Sequence, residues 1–218
     1  MQLAEINMPQ TNLITLRQEW QEAWQSAVFR KKLITGLLAV ALVAMAFPVF
    51  FQAIEKRDGI TFNDAVLGVL PPHDVSVPIF IIIWATFTLT LFRCIQNPDM
   101  LLAFLWAYIF VSLSRFLSIT LVPLSPPQGL IGLADPLVNR FYGSKYVTKD
   151  LFFSGHTSTL FLMYLCLTGR TDRILALTAT VLVGVLLLVQ HVHYTLDVLA
   201  APFFTWLIWR ATKKVVLR

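Results

Sequence analysis

Cysteine occurs only twice in this sequence, at Cys94 and Cys166, and charged residues fill just 13% of its 218 positions. Two cysteines cannot build a disulfide framework. Both also fall near ends of apolar runs that the charge pattern assigns to the cytoplasmic side, where a reducing environment disfavours a bridge. No repeat with a period of about 20–50 residues and no low-complexity tract is present, so solenoid and array architectures are excluded. The basic residues form no single stripe interleaved with aromatics, so the formal charge of +5 carries no nucleic-acid signature.

Apolar residues are what the chain has in excess. They make up 57% of it, with a mean hydropathy of +0.71, more than one water-soluble core uses. A helix needs about 20 mostly apolar residues to cross about 30 Å of hydrocarbon. Six stretches qualify: 33–54, 77–96, 100–122, 151–168, 174–191 and 194–211. The expectation is an all-α integral membrane protein with six transmembrane helices and no second domain. An N-terminal interfacial helix would cover 1–32, a six-span catalytic membrane domain 33–212, and a basic cytoplasmic tail 213–218.

Charge sets the expected orientation. With the N-terminus inside, eleven basic residues collect on the inner side: Arg17, Arg30, Lys31, Lys32, Arg93, Arg170, Arg173, Arg210, Lys213, Lys214 and Arg218. Only five, Lys56, Arg57, Arg140, Lys145 and Lys149, fall outside. That bias predicts both termini in the cytoplasm. Ahead of the first run, Leu13, Leu16, Trp20, Trp24 and Val28 recur at helical spacing among Arg17, Gln18, Gln21 and Gln25. The pattern predicts an amphipathic helix lying in the inner interface, and it also fits a solvent-exposed tail helix. Ala44-Met45-Ala46 resembles a signal-cleavage site, but the 32-residue polar lead is longer than a usual n-region, so an uncleaved span is expected.

In this arrangement two long connections face outward. Residues 55–76 end in Leu70-Pro71-Pro72-His73-Asp74, where consecutive prolines exclude a helix. Residues 123–150 run from Pro123-Leu124-Ser125-Pro126-Pro127 through Asp135-Pro136 to Lys149-Asp150. The inner connections, Gln96-Asn97-Pro98-Asp99 and Gly169-Arg170-Thr171-Asp172-Arg173, are short turns. Long irregular loops are where binding elements sit, so the chemistry is expected outside.

Polar residues mark the outer ends of three runs. Ser154-Gly155-His156-Thr157 opens the fourth, and His191, His193 and Asp197 lie where the fifth turns into the sixth. One out-and-back hairpin returns the chain to the same face, so these groups can be neighbours. Ser154 is a natural N-cap, Gly155 lets a ligand approach the backbone, and the exposed N–H groups of the helix start attract an anion such as phosphate. His193 and Asp197 share a face if the helix is continuous, or meet across a turn through Tyr194. In either case the carboxylate can orient the ring and stabilise an imidazolium. One oriented and one free imidazole suit two-step phosphoryl exchange, one attacking or activating the nucleophile and the other protonating the leaving oxygen.

Other polar residues admit plainer readings. His191 fits a structural role and His73 a solvated one, while Asp74 and Asp150 suit helix N-terminal acids as well as substrate contacts. Arg115, within a run that also holds Ser112, Ser114 and Ser118, needs a partner, either a substrate phosphate or a structural carboxylate. His191-Val192-His193 supplies half a metal site, but no third ligand has suitable helical spacing, so no metal or other cofactor is expected.

Asp150-Leu151-Phe152-Phe153-Ser154-Gly155-His156-Thr157, followed by His191-Val192-His193-Tyr194-Thr195-Leu196-Asp197-Val198, resembles the sphingomyelin synthase family within the type 2 phosphatidic acid phosphatase superfamily. Leu70 to Asp74 is similar to its proline-rich first outer motif, and Arg115 to Pro123 loosely resembles a further one. The resemblance implies a metal-independent phosphotransferase of lipid metabolism. It would move phosphocholine or phosphoethanolamine from a glycerophospholipid donor to a ceramide- or diacylglycerol-like acceptor. His193 would be the nucleophile, Asp197 its orienting acid and His156 the acid for the leaving alcohol. Ser154, Gly155, Arg115, Asp150, Asp74 and Tyr194 would contact substrate. The active site would face the periplasm, the exterior or a lumen, in a membrane-embedded chain for which homo-oligomerisation stays open. Leu186 and Leu187 stand where the phosphatase branch usually has Ser-Arg, which tilts the resemblance away from a plain lipid phosphatase.

Two rivals define the alternatives. Water could replace the lipid acceptor at the same triad, giving a lipid phosphate phosphatase or a phospholipase C-type hydrolase. A proton-coupled transporter would instead string polar groups through the bilayer depth, whereas here they concentrate at one face.

Overall fold

The computed structural model describes residues 10–133 and 147–216. Asp135, Pro136, Arg140, Lys145 and Arg218, used above in placing the second outer loop and the charge bias, lie outside the described residues. Seven helices are present among the described residues: α1 Gln10–Gln25, α2 Ala27–Glu55, α3 Ser76–Gln96, α4 Pro98–Leu121, α5 Gly155–Cys166, α6 Arg170–Val189 and α7 Thr195–Val216. Among the described residues the only β pairing is an isolated bridge between Ile60 and Leu124. The all-helical expectation therefore holds.

Four helices, α2, α3, α4 and α6, are long and apolar enough to cross a bilayer. Their outward faces carry exposed Leu37, Leu38, Leu42, Met45, Val49, Ile81, Val181 and Val185, as expected for surfaces solvated by lipid. This is an integral membrane architecture. The other two predicted runs behave differently. Residues 151–154 stay non-helical ahead of the Ser154 cap, so α5 keeps only 12 residues, about 18 Å at about 1.5 Å per residue. The longer α7 is diluted by Asp197, Pro202 and Arg210.

The first helices break where a cap is available. The Ser26 side chain accepts from Phe29 N–H at 3.3 Å and starts α2 at Ala27, six residues before the apolar run predicts. Val28, read above as part of the amphipathic helix, therefore belongs to α2. Asn97 caps α4 in the same way, accepting from Met100 N–H at 2.8 Å with Pro98 as its first residue.

Short α5 is the centre of the bundle. One side packs Leu162 and Cys166 against Ala103, Ala107 and Val111 of α4 and Ala201 and Trp209 of α7. Its other side packs Leu160 and Met163 against Ile79 of α3 and Ala179, Val183 and Leu187 of α6. Small residues allow these approaches, since helices in lipid associate through close van der Waals packing. Polar pins hold the end away from the outer loops: Arg93 Nε donates to Asp172 Oδ2 at 2.6 Å, and Lys32 Nζ to the Val216 carbonyl at 2.7 Å.

At the opposite end the two long loops pair. Ile60 N–H donates to the Pro123 carbonyl at 2.8 Å and Ser125 N–H to that of Ile60 at 3.0 Å. Gly59 is required there, because a Cβ would fall 2.5 Å from the carbonyl carbon of Leu124.

Candidate active site

The site is built where α5 begins. Ser154, fully buried, accepts from Thr157 N–H at 3.4 Å and from the Thr157 hydroxyl at 3.1 Å, so it caps the helix as its position predicts. Its own N–H donates to the backbone carbonyl of Asp197 at 3.1 Å, which stitches the start of α5 to the first turn of α7. The two polar clusters, about forty positions apart in the chain, thus share one end of the bundle. His156, half-buried in the first turn of α5, packs edge-to-face with Phe80 of α3, ring centroids 6.3 Å apart.

His193 and Asp197 meet across a turn. Residues 190–194 precede α7, and Asp197 sits in its first turn. Asp197 Oδ2 lies 3.4 Å from His193 Nδ1 and also accepts from Tyr194 N–H at 3.1 Å. The second contact is the carboxylate half of a capping box, so one acid both caps the start of α7 and orients the imidazole. A neutral ring that donates from Nδ1 to this carboxylate has its lone pair on Nε2. Both side chains are essentially inaccessible to solvent, at 1% and 0%. Asp197 Oδ1 is also buried, with no hydrogen-bond partner among the described residues.

Arg115, buried on α4, supplies positive charge. Its Nε donates to the Phe153 carbonyl at 3.1 Å and its Nη2 pairs with Asp150. The guanidinium also lies directly over Gly155, where a Cβ would come within 2.5–2.8 Å of Nη1, Cζ and Nη2. The sequence reads Gly155 as space for a ligand, but that space holds the Arg115 head. A guanidinium stacked on a helix N-terminus makes a concentrated anion-attracting point. Asp150 is placed in turn by Glu55 at the end of α2, whose carboxylate accepts from Thr148 N–H at 2.6 Å and Lys149 N–H at 2.8 Å. Arg115 and Asp150 are thus brought together.

Asp74 and Tyr194 have other partners. Asp74 is exposed and accepts from Ser76 N–H and Oγ at 3.0 and 2.7 Å at the start of α3; those hydrogen bonds, the backbone one first, lower its carboxyl pKa. Tyr194 is buried, its hydroxyl donating to the Ser125 carbonyl at 2.9 Å and accepting from Phe62 N–H at 3.2 Å, so it ties both outer loops to the turn. Exposed His73 faces the Pro71 carbonyl with Nδ1 at 2.9 Å.

Three residues that the sequence did not single out complete the support. Asp64 of the first outer loop accepts from Thr195 N–H at 2.6 Å and its hydroxyl at 3.0 Å, as well as from Val66 and Leu67 N–H. Thr195 opens α7, and a helix start lacks acceptors for its first N–H groups. The acceptor arrives from 131 residues away, which no local pattern reveals. Burial by itself raises the Asp64 carboxyl, but the Thr195, Leu67 and Val66 hydrogen bonds outweigh it and the net direction is downward. Gln190, fully buried, donates to Ser76 Oγ at 2.8 Å and accepts from Val75 N–H at 3.1 Å. Glu55 is the third.

His191 holds the same turn from outside. Its backbone adopts φ 55°, and its ring nitrogens face the carbonyls of Gln128 and Leu70 at 2.7 and 2.8 Å. The partners that the sequence could not supply for it are thus two loop carbonyls. His191 and Tyr194 line a cleft of about 790 Å³ between the outer loops, together with Phe62, Asp64, Pro71 and Gln128. His156, His193 and Asp197 do not line it, so this cleft is distinct from the triad. Among the described residues, no group of three His, Cys, Asp or Glu side chains gathers as a metal site.

Comparison with known proteins adds one finding. No curated protein matches the chain. Residues 149–215 match the family model described as PAP2 superfamily C-terminal. That stretch holds Asp150, Ser154, His156, His193 and Asp197 and leaves Arg115 outside. The match supports the type 2 phosphatidic acid phosphatase superfamily, and with it lipid phosphatase or phosphotransferase chemistry in general.

Proposed function

We propose that this protein is a membrane lipid phosphotransferase that moves a phospho-headgroup from a glycerophospholipid to a ceramide- or diacylglycerol-like hydroxyl, as in the sphingomyelin synthase family. The observation that carries the reading is the 3.1 Å bond from Ser154 N–H to the Asp197 carbonyl, which sets the His193–Asp197 pair beside the α5 N-terminus and the Arg115 guanidinium. In this mechanism the helix start and Arg115 bind the phosphate oxygens. His193 Nε2 attacks phosphorus, Asp197 stabilises the resulting positive ring, and His156 gives a proton to the departing diacylglycerol oxygen. The acceptor hydroxyl then attacks the phosphohistidine and returns a proton to His156. The sequence needs no metal.

We infer a six-crossing arrangement with both termini cytoplasmic and the site on the opposite face. The charge bias and the four qualifying spans support it. Helix α5, at 12 residues about 18 Å long against about 30 Å of hydrocarbon, supports a site recessed below the outer surface, within reach of lipids entering from the side.

Hydrolysis is the second reading, favoured by the phosphatase name of the matched family. Purified protein given headgroup-labelled phosphatidylcholine or phosphatidylethanolamine, with and without ceramide, separates the two. Label is expected in a new sphingolipid when ceramide is present; label released only to water defeats the transferase. A proton relay fits less well, because the buried hydroxyls of Thr86, Thr90, Thr180 and Thr212 donate to carbonyls of their own helices.

A further inference from the structure

The bundle end away from the outer loops carries a second hollow that the catalytic reading does not use. Helix α1 lies across this end because Trp20 Nε1 donates to the carbonyl of Ile95, near the end of α3, at 2.7 Å. The same indole packs edge-on against Phe29 of α2, ring centroids 6.3 Å apart. The hollow left between α1 and the start of α2 measures about 780 Å³ and is lined by Arg17, Trp20, Gln21, Trp24, Gln25 and Arg30. Two guanidiniums, two amides and two indoles surround it, and among the described residues no carboxylate does. Arg30 Nη1 donates to the carbonyls of Trp24 and Gln25 at the end of α1, which fixes its head there. The fork of a guanidinium offers five N–H donors in all, leaving Nε and Nη2 for a ligand. Lys31 beside it is exposed, and so are Trp24 and Val28, at 50% and 59%.

We propose that this hollow binds the phosphate of an anionic phospholipid from the leaflet bordering α1. Charge selects the ligand: two arginines with no lining acid among the described residues favour an anion, and their planar forks match phosphate oxygens. The indoles select its source. Tryptophan rings settle at the headgroup level of a bilayer, and Trp24 and Val28 offer apolar surface beside the guanidiniums that a soluble phosphate would leave unused. Arg17 and Arg30 would hold the headgroup, with Trp24 and Val28 against the upper acyl chains. Because the site lies at the far end of the bundle, it stands whether or not the triad performs the proposed transfer.

The test uses the full-length protein in nanodiscs of equimolar phosphatidylglycerol and phosphatidylcholine, with retained lipids counted by native mass spectrometry. Wild type is expected to retain phosphatidylglycerol roughly thirtyfold over phosphatidylcholine, the ratio that about 1 kcal/mol from each of the two arginines gives. The double variant Arg17→Gln, Arg30→Gln is expected to lose that preference. Equal retention by wild type, or an unchanged preference in the double variant, overturns the proposal. If the double variant does not fold, tryptophan quenching by brominated lipids decides, taken as the difference between wild type and Trp24→Phe. Brominated phosphatidylglycerol should quench the Trp24 component at least twofold more than brominated phosphatidylcholine. Equal quenching overturns the assignment.

Discussion

The N–H of Ser154 donates to the backbone carbonyl of Asp197 at 3.1 Å, so the cap of one helix and the first turn of another are a single hydrogen-bonded unit. Because this link is made by main chain, side-chain substitutions nearby can test chemistry without undoing the juxtaposition.

Asp197→Asn keeps the volume and can still accept from Tyr194 N–H, but it removes the charge that would stabilise a His193 imidazolium. Headgroup turnover is expected to fall by about a thousandfold or more, by analogy with orienting acids in hydrolytic triads. His193→Ala should be at least as severe. Circular dichroism and thermal melting, read beside the turnover assay, check that the fold persists; near-wild-type turnover in either variant would remove the proposed triad.

Gly155→Ala places a methyl within 2.5–2.8 Å of the Arg115 head. The guanidinium has to move off the start of α5 and away from Asp150, so turnover is expected to drop by about tenfold or more and stability by about 1–3 kcal/mol, the usual cost of overpacking. Full activity at unchanged melting temperature would show that Arg115 is not needed there.

Asp64 gives a signed pH dependence. Its carboxyl is held below the ordinary value of 3.8, so the folded state binds its proton less readily than the unfolded chain. Its contribution is therefore complete above that ordinary value and disappears as the pH falls through the lowered one. Melting temperatures of wild type and Asp64→Asn should differ at pH 6, by about 1 kcal/mol or more in stability, and converge as the medium is acidified below pH 3.8. A gap that persists unchanged in acid would contradict the carboxylate's role as acceptor for Thr195.

His191→Ala separates the two histidines of the turn. Losing its contacts with the Leu70 and Gln128 carbonyls should loosen the outer loops, costing about 1–2 kcal/mol of stability, while turnover stays within about tenfold of wild type. His193→Ala is expected to lose activity outright and to cost stability as well, because it opens a cavity beside the buried Asp197 carboxylate. A thermal-shift series run beside the headgroup assay reads both, and a catalytic collapse in His191→Ala would place that ring in the reaction.

Several elements were legible from the chain alone. The helical class, the Ser154 cap and the approach of the His156 and His193 blocks follow from composition, capping preference and the return of one helical hairpin. Other features were not legible, for identifiable reasons. The run 151–168 reads as a full span, but Ser154 caps α5 late and leaves a short helix that packing on four sides holds in place. Tyr194 and Asp74, read as substrate contacts, hydrogen-bond to the outer loops and to Ser76. The roles of Asp64, Glu55 and Gln190 in the site have no local signal, because each serves a partner more than ninety residues away.

What the sequence determined by itself is therefore everything set by nearest neighbours along the chain: apolar runs that must leave water, residues that begin and end helices, and the side chains able to exchange protons at neutral pH. Tertiary structure alone decided which buried donor meets which acceptor. It laid Arg115 over Gly155, carried Asp64 to Thr195 and left His191 between two loops, because a buried hydrogen-bonding group must be satisfied from whatever segment packing brings within 3 Å or so.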